Sequence, residues 1–478
     1  MHTGSRILFG DRIVVQDEAG TLQVKSALIE IESGRIKTIN PCRREDLPFK
    51  LVFEDLGQQI VTPAFVNAHT HLCMIAFRGI GGLSSLKGNV VEDLYFKLEA
   101  KMTADDIAAF TRIGALEALM SGTGFVWDHY YHGFAIAKTL YEIGLCAGVA
   151  PTLQDLGGPG AARLDAAWEN TFRIAESNEL KAQGIFAVLG PHATDTVSDE
   201  LWRRVREASM VWNLPVHCHI SQSIEEVERS WETHQCAPMT RMQRLGLCSL
   251  NASRLWVHGL WVSDSELDKL TSKDTLIHCP SAQMQFDFPA PTYPWRTREL
   301  PVMIGTDAPS CNDGINVQSE LRIFASGQSY AISHNDPHRV FRETGTLEAA
   351  KAMRQSRQLL FQSYAELSRP QKILETVWSN GMNLHPHVKV GLLQEGALAN
   401  LCVWNPEHPV FWPSDNLFHS LCFGNISPAL NRIMTCGEWR IDGAGDLSSR
   451  IMRDPRSHAW MTEAKARRKE LLMRVGVI

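Results

Sequence analysis

Val61-Thr-Pro-Ala-Phe-Val-Asn-Ala-His-Thr-His-Leu72 is the stretch on which the reading of this chain turns. A short apolar run, Phe65-Val66, leads into two histidines one residue apart, His69 and His71. On a β-strand, residues i and i+2 point to the same face. Both imidazoles therefore project together, the arrangement needed to hold one divalent metal. Chance also places histidines at this spacing in cores and on surfaces. The metal reading therefore depends on whether the rest of the chain supplies further ligands in a workable order.

On the C-terminal side of this stretch, short apolar strands alternate with helical segments. Residues 103–120 have helical apolar spacing (Ile107, Phe110, Ile113, Leu116, Leu119), and Thr103 before Asp105-Asp106 is a helix-start signal. Ser121-Gly-Thr-Gly124 ends that helix, and the next strand follows at 125–127. With 62–66, the strand candidates are 146–150, 185–189, 215–220, 254–257, 275–277 and 301–304. Eight strands with helices filling the gaps predict an α/β fold, a closed (β/α)8 TIM-like barrel. A doubly wound open sheet competes, but the Gly-rich fingerprint it often carries after its first strand is absent.

On the N-terminal side, 12–16, 26–32 and 35–39 are β-branched runs, with Glu32-Ser-Gly-Arg35 as a hairpin turn. Residues 310–385 look helical, including 346–367 and 371–380, and strand texture returns at 400–404, 432–435 and 438–441. A charged helix over 462–474 ends the chain. The expected organisation is a barrel over 62–386 and a small β-sandwich domain built from 1–61 and 387–478, the latter including the terminal helix.

The 478 residues are 44% hydrophobic and 21% charged with net charge −6, an ordinary globular balance. No basic face points to nucleic acid, and no polybasic run or long apolar segment points to a membrane. Met1 to Gly10 lacks a signal-peptide pattern, and eleven scattered cysteines with no Cys-x-x-Cys pair read as buried thiols. A cytoplasmic protein acting on a small molecule is the expectation.

Active sites of βα barrels lie at the C-terminal strand ends. Those ends carry His69 and His71, Asp128-His129, His192, His217 and His219, His258, His278 and Asp307. One such residue is ordinarily a hydrogen-bonded scaffold group. So many on one face are hard to attribute to packing. Imidazoles converging with a carboxylate suit Zn²⁺, or Fe²⁺, with an open position for water. The ion lowers the pKa of that water and makes a hydroxide nucleophile. His217 shares a strand face with His219, so either can supply the fifth-strand ligand.

These motifs resemble the amidohydrolase superfamily, and more narrowly its aminohydrolases of heteroaromatic rings, which include adenosine-derivative and guanine deaminases and s-triazine chlorohydrolases. The resemblance rests on Pro63-Ala-Phe-Val-Asn-Ala-His-Thr-His71, Phe77-Arg-Gly79, Ser121-Gly-Thr123, Val216-His-Cys-His-Ile220, Val257-His-Gly259, His278-Cys-Pro-Ser281 and Gly305-Thr-Asp307, with Gly391-Leu-Leu-Gln-Glu-Gly396 as the turn back into the β-domain. It implies His69, His71, His219 and Asp307 as metal ligands. It implies His258 beside the metal water, polarising substrate, with Asp307 taking the proton of that water. His278 has a supporting role or is a buried scaffold histidine. A homodimer is also implied.

One departure stands out. The resemblance calls for a glutamate three residues after the fifth-strand histidine, and this chain has Gln222 there. An amide can hydrogen-bond to a ring but cannot ferry a proton. Glu225 and Glu226 are expected on the following helix, solvated. Ser281-Ala282 and Ala308-Pro-Ser-Cys-Asn312 depart from the usual Ser-Asn pairings. Deamination with Gln222 orienting the substrate is the first reading. Hydrolysis of a halide, thiol or cyclic-amide leaving group is the second, and Gln222 favours it. A non-catalytic ligand binder is the third. Trp127, Tyr130, Tyr131 and Phe77 are candidates to stack on a planar ring, with Trp127, His258, His278 and Gln222 as substrate contacts.

Overall fold

The computed structural model describes residues 4–476 apart from 18, 81–89, 287–288, 291, 313, 328–335, 414, 442 and 444. In chain order the strands are β1 (Arg6–Gln16), β2 (Leu22–Glu32), β3 (Arg35–Pro41), β4 (Glu54–Asp55), β5 (Ile60–Pro63), β6 (Phe65–Thr70), β7 (Thr123–Tyr130), β8 (Cys146–Leu153), β9 (Ile185–Ala187) and β10 (Gly190–Pro191). They continue as β11 (Val216–Ile220), β12 (Arg254–His258), β13 (Asp274–His278), β14 (Val302–Ile304), β15 (Leu401–Trp404), β16 (Leu430–Thr435) and β17 (Glu438–Trp439).

The two ends of the chain meet in one sheet of order β17-β16-β15-β5-β1-β2-β3, with β4 beside β1. The junction is antiparallel pairing of β5 with β15, Leu401 opposite Pro63. Ser33 and Gly34, both at positive φ, make the tight turn between β2 and β3 that Glu32-Ser-Gly-Arg35 predicts. Ile29, Ile31 and Ile36 pack with Leu401, Val403 and Met434 in a core separate from the main one.

The middle of the chain forms two parallel sheets, β10-β8-β7-β6 with β9 on β8, and β11-β12-β13-β14. Isolated parallel bridges join them, Leu189 to Val216 at one edge and Thr70 to Asp307 at the other. Strands β7, β8, β11, β12 and β13 are buried at every position. Burial on both faces is what parallel strands under helices require, and it explains their continuous apolar texture.

Two of the eight expected strands differ from the sequence reading. Thr62 pairs with Cys402 in the sheet of the chain ends, so the first inner strand starts at Phe65. Pro63 has no N–H to continue a ladder, and Ala64 N bonds Asn400 while Phe65 N bonds Gly122, so the chain changes partners there. The fourth strand is broken for the same kind of reason. Val188 N bonds β8 at Val149 and Leu189 N bonds Pro215, so pairing passes from one sheet to the other.

Helix Ala104–Met120 opens with the capping box that Thr103 predicts, Asp106 N donating to Thr103 Oγ1 at 3.2 Å and Thr103 N to Asp106 Oδ2 at 3.0 Å. The single helix expected over 371–380 is instead Pro370–Leu374 followed by two 3₁₀ turns. The last helix starts earlier than expected, at Pro455, because Asp454 caps it. Among the described residues, no helix is long and apolar enough to cross a membrane.

Candidate active site

His69 lies on β6 and His71 one residue past its end; His217 and His219 lie on β11, His258 closes β12, and Asp307 follows β14. Gly305 lets that last loop approach: a Cβ there would sit 2.8 Å from the His69 carbonyl oxygen. Asp307 N, 3.0 Å from the same oxygen, then brings the carboxylate over the first strand. Asp307 and His258 both adopt left-handed backbone, φ +58° and +76°, a strained geometry that persists where surrounding structure enforces it.

Tautomers follow from the hydrogen bonds behind the rings. His71 Nδ1 donates to the His129 carbonyl, and His219 Nδ1 to the His192 carbonyl at 2.7 Å. Each neutral ring therefore presents a bare Nε2. His69 Nδ1 is 2.9 Å from His217 Nε2, so His217 stands behind His69 as its acceptor. The two fifth-strand histidines thus have different positions: His219 lines the central cavity and His217 backs His69.

Donor atoms held about 2.0–2.1 Å from one ion at tetrahedral angles are about 3.3–3.4 Å apart. Here His219 Nε2 is 3.2 Å from His69 Nε2, and Asp307 Oδ1 is 3.5 Å from His69 Nε2 and 3.4 Å from His71 Nε2. These three spacings match edges of one coordination shell, and within 4.8 Å the donor atoms group as His69, His71 and Asp307 and as His69, His219 and His258, each a trio able to hold a divalent cation. His258 belongs to the second of these trios, and its Nε2 lies 4.0 Å from Asp307 Oδ2.

Burial is the largest single influence on the electrostatics of the whole cluster. Burial pushes the His69 and His258 imidazoles down, to about 3 and about 4, and His219 well below the ordinary histidine range. Burial also opposes charge on His71, but the hydrogen bond and charge of Asp307 outweigh it and raise that ring. Burial pushes Asp307 up, yet the neighbouring His69 and His71 imidazoles hold its carboxyl well below the usual range.

A cavity of about 670 Å³ opens over these groups, lined by His71, His219, His258, Asp307 and Gln222. Tyr130 and Tyr131 also line it, as do Tyr95, Phe96 and Glu99, which sequence reasoning did not single out. Burial raises the Glu99 carboxyl to about 7 against a hydrogen bond from Tyr130. Trp127 and His278 are not among the lining residues. Trp127 is wholly buried and packs on Gly148, where a Cβ would lie 2.6 Å from its ring. His278 is buried with its ring 6.1 Å from Phe324. Phe77 lies outside the lining as well, its ring stacked on Tyr95.

Glu225 is exposed as expected, but Glu226 is buried, which corrects the solvated reading. Its carboxylate accepts from Ser221 N at 2.9 Å, Gln222 N at 2.7 Å and the Thr194 hydroxyl. Glu226 thus holds the loop that carries Gln222, and burial with nearby Asp195 raises it to about 7. The supporting carbonyls of His129 and His192 left no mark in the sequence, because any residue supplies a carbonyl.

Parallel strands ending in a histidine and aspartate ring, with a lone imidazole donor beside it, define a metal-dependent hydrolase class of site. Residues 60–431 match the amidohydrolase family, and the chain belongs to that family. It is similar to 5-methylthioadenosine/S-adenosylhomocysteine deaminase of Pyrococcus abyssi, 28% identical over 308 residues that cover 63% of this chain and 70% of the relative. Its fold is similar to that of an adenosine deaminase from Xanthomonas campestris with bound zinc (TM-score 0.75, 19% identity, 96% of this chain and 98% of that one). A zinc complex of atrazine chlorohydrolase from Arthrobacter aurescens is similar as well (TM-score 0.76, 16% identity, 97% and 99%).

Proposed function

We propose that this chain is a metal-dependent aminohydrolase that replaces an amino or imino group on an N-heteroaromatic ring by oxygen and releases ammonia. The observation that carries the reading is the cluster of His69, His71, His219 and Asp307, in which each donor atom lies 3.2–3.5 Å from at least one other, with His258 Nε2 beside it. A divalent ion held by those four residues, zinc in our reading and iron as the alternative, supplies a water activated for attack at neutral pH.

The chain's own groups manage the protons. Asp307 Oδ1 faces His69 and His71 Nε2 and accepts from the Ala308 amide at 2.7 Å, which leaves Oδ2 to accept the proton of the attacking water. His258 Nε2 donates to the nitrogen or oxygen on which negative charge grows. Gln222 offers its amide to the ring without moving a proton. The tyrosines of the wall cover the ring face.

Gln222 also supports a second reading, in which the departing group is a halide, thiolate or cyclic amide. Such groups leave with less protonation, so a missing glutamate costs less. We further propose that the two parallel sheets close as a (β/α)8 barrel that starts at Phe65 rather than at 62 and runs to 386, and that the chain before it and 387–478 form a β-sandwich domain. The sheet that joins both chain ends and its separate core support the latter. All eleven cysteines are free, which suits a cytoplasmic location, and we expect a homodimer.

The test is ammonia release by zinc-loaded protein across aminated purines, pyrimidines, pterins and triazines. Release from at least one class supports deamination. Silence across the panel with zinc confirmed in the protein moves the assignment to another leaving group.

A further inference from the structure

One buried side chain of the cavity wall has no part in the scheme above. Gln283 stands on the short helix Pro280–Phe286 that follows β13, is 4% exposed and lines the cavity. The start of that helix is held by Glu320, which accepts from Ser281 N at 2.8 Å and Ser281 Oγ at 2.6 Å. Gln283 Nε2 donates to His258 Nδ1 at 3.1 Å. Gln283 Oε1 is buried and has no partner among the described residues. Across the imidazole, His258 Nε2 is also without a hydrogen-bond partner and lies 4.0 Å from Asp307 Oδ2.

A neutral imidazole has one N–H and one lone pair, so the partner of one nitrogen decides what the other presents. An amide NH₂ at Nδ1 needs a lone pair there, which puts the ring proton on Nε2. The Asp307 carboxylate favours the same placement, since it attracts an N–H and repels a lone pair. Without Gln283 both tautomers are open, and one of them turns a bare nitrogen toward the reacting atoms. The free Oε1 is a separate observation. A buried carbonyl oxygen is costly to leave unpaired, and on a side chain that lines a ligand cavity it is explained by a ligand that brings the donor.

We propose that Gln283 is a two-sided positioning residue: its NH₂ holds His258 in the tautomer that donates from Nε2, and its carbonyl receives an N–H of the bound substrate. The second half rests on reading the cavity as an aminohydrolase site. It narrows the substrate to rings that carry an amino or ring N–H at the edge facing β13. Rings whose edge there is N-methylated, or bears oxygen or sulfur acceptors alone, leave Oε1 unpaired and are rejected.

The experiment uses zinc-loaded protein labelled with ¹⁵N in histidine, where the two nitrogens of a neutral imidazole resonate far apart, and assigns His258 by loss of its signals in His258→Gln. In the wild type, Nε2 carries the proton. Gln283→Glu offers only acceptors and moves the proton to Nδ1. Gln283→Leu gives a mixture and lowers kcat/KM about 10- to 100-fold, with zinc content and thermal midpoint held. The same variant loses discrimination between a substrate and its N-methyl analogue. A proton on Nδ1 in the wild type overturns the proposal, and so does Gln283→Leu with unchanged tautomer and unchanged kcat/KM. If the wild type turns over nothing while the tautomers behave as stated, the aminohydrolase reading falls and the positioning of His258 stands.

Discussion

Replacing His217 with leucine separates His69, a proposed metal ligand, from the residue behind it. His217 Nε2 lies 2.9 Å from His69 Nδ1, and both side chains are 0% exposed. Leucine fills similar space and removes the acceptor. Water has no access to the His69 N–H, so that donor stays unpaired, at about 1–3 kcal/mol. The alternative open to His69 is to carry its proton on Nε2, which removes it from the metal. Either response weakens the site. At about 1.4 kcal/mol per tenfold, the loss is roughly 5- to 140-fold in zinc dissociation constant, in line with the 10- to 100-fold typical of partners behind metal ligands, about the same range. Competition against a chromophoric chelator measures it. His217→Gln restores an acceptor near the same point and recovers most of the affinity. Zinc bound by His217→Leu as tightly as by the wild type would refute the reasoning. Complete loss of zinc would make His217 a ligand in its own right.

Other outcomes follow from the same geometry. His69→Ala and Asp307→Ala each lower zinc content measured by atomic emission, and full occupancy in both would sink the ligand assignment. Gln222→Glu speeds ammonia release, because the carboxyl adds a proton carrier; an unchanged or slower rate would mean that the chemistry uses the amide. His385 gives a pH dependence away from the centre. It is buried, donates from Nε2 to the Ala187 carbonyl at 3.0 Å, and burial depresses its pKa from 6.5 to about 4. The unfolded chain therefore binds a proton that the folded one refuses between those values, so stability is lost as pH falls from 6.5 toward 4. The contribution is about 3 kcal/mol. His385→Gln should flatten the chemical-denaturation slope over that window by this order, and an identical slope would contradict it.

How much of this was legible in the sequence depends on what kind of group each feature uses. The inward histidines and Asp307 could be read because strand ends and residue type together locate them. The backbone carbonyls behind His71 and His219 could not, because a carbonyl carries no residue signature. Glu226 looked like a first-turn helix glutamate, the ordinary solvated case. Its burial comes from Thr194 and two loop amides that only the tertiary fold brings near. Trp127 was ambiguous because β7 is buried at every position, so no polar alternation tells which of its side chains face the cavity. The partner change at Pro63 was hidden inside one apolar run, 60–66, that serves two sheets.

The most direct test of the account is a titration of metal-free protein with zinc, reading ammonia release from the best substrate of the panel against equivalents added. The account predicts a rate that climbs linearly to about one zinc per chain, as one set of four ligands requires, then levels off, and that stays at baseline in Asp307→Ala. Full activity in rigorously metal-free protein, or activity retained by Asp307→Ala at the wild-type rate, would contradict it.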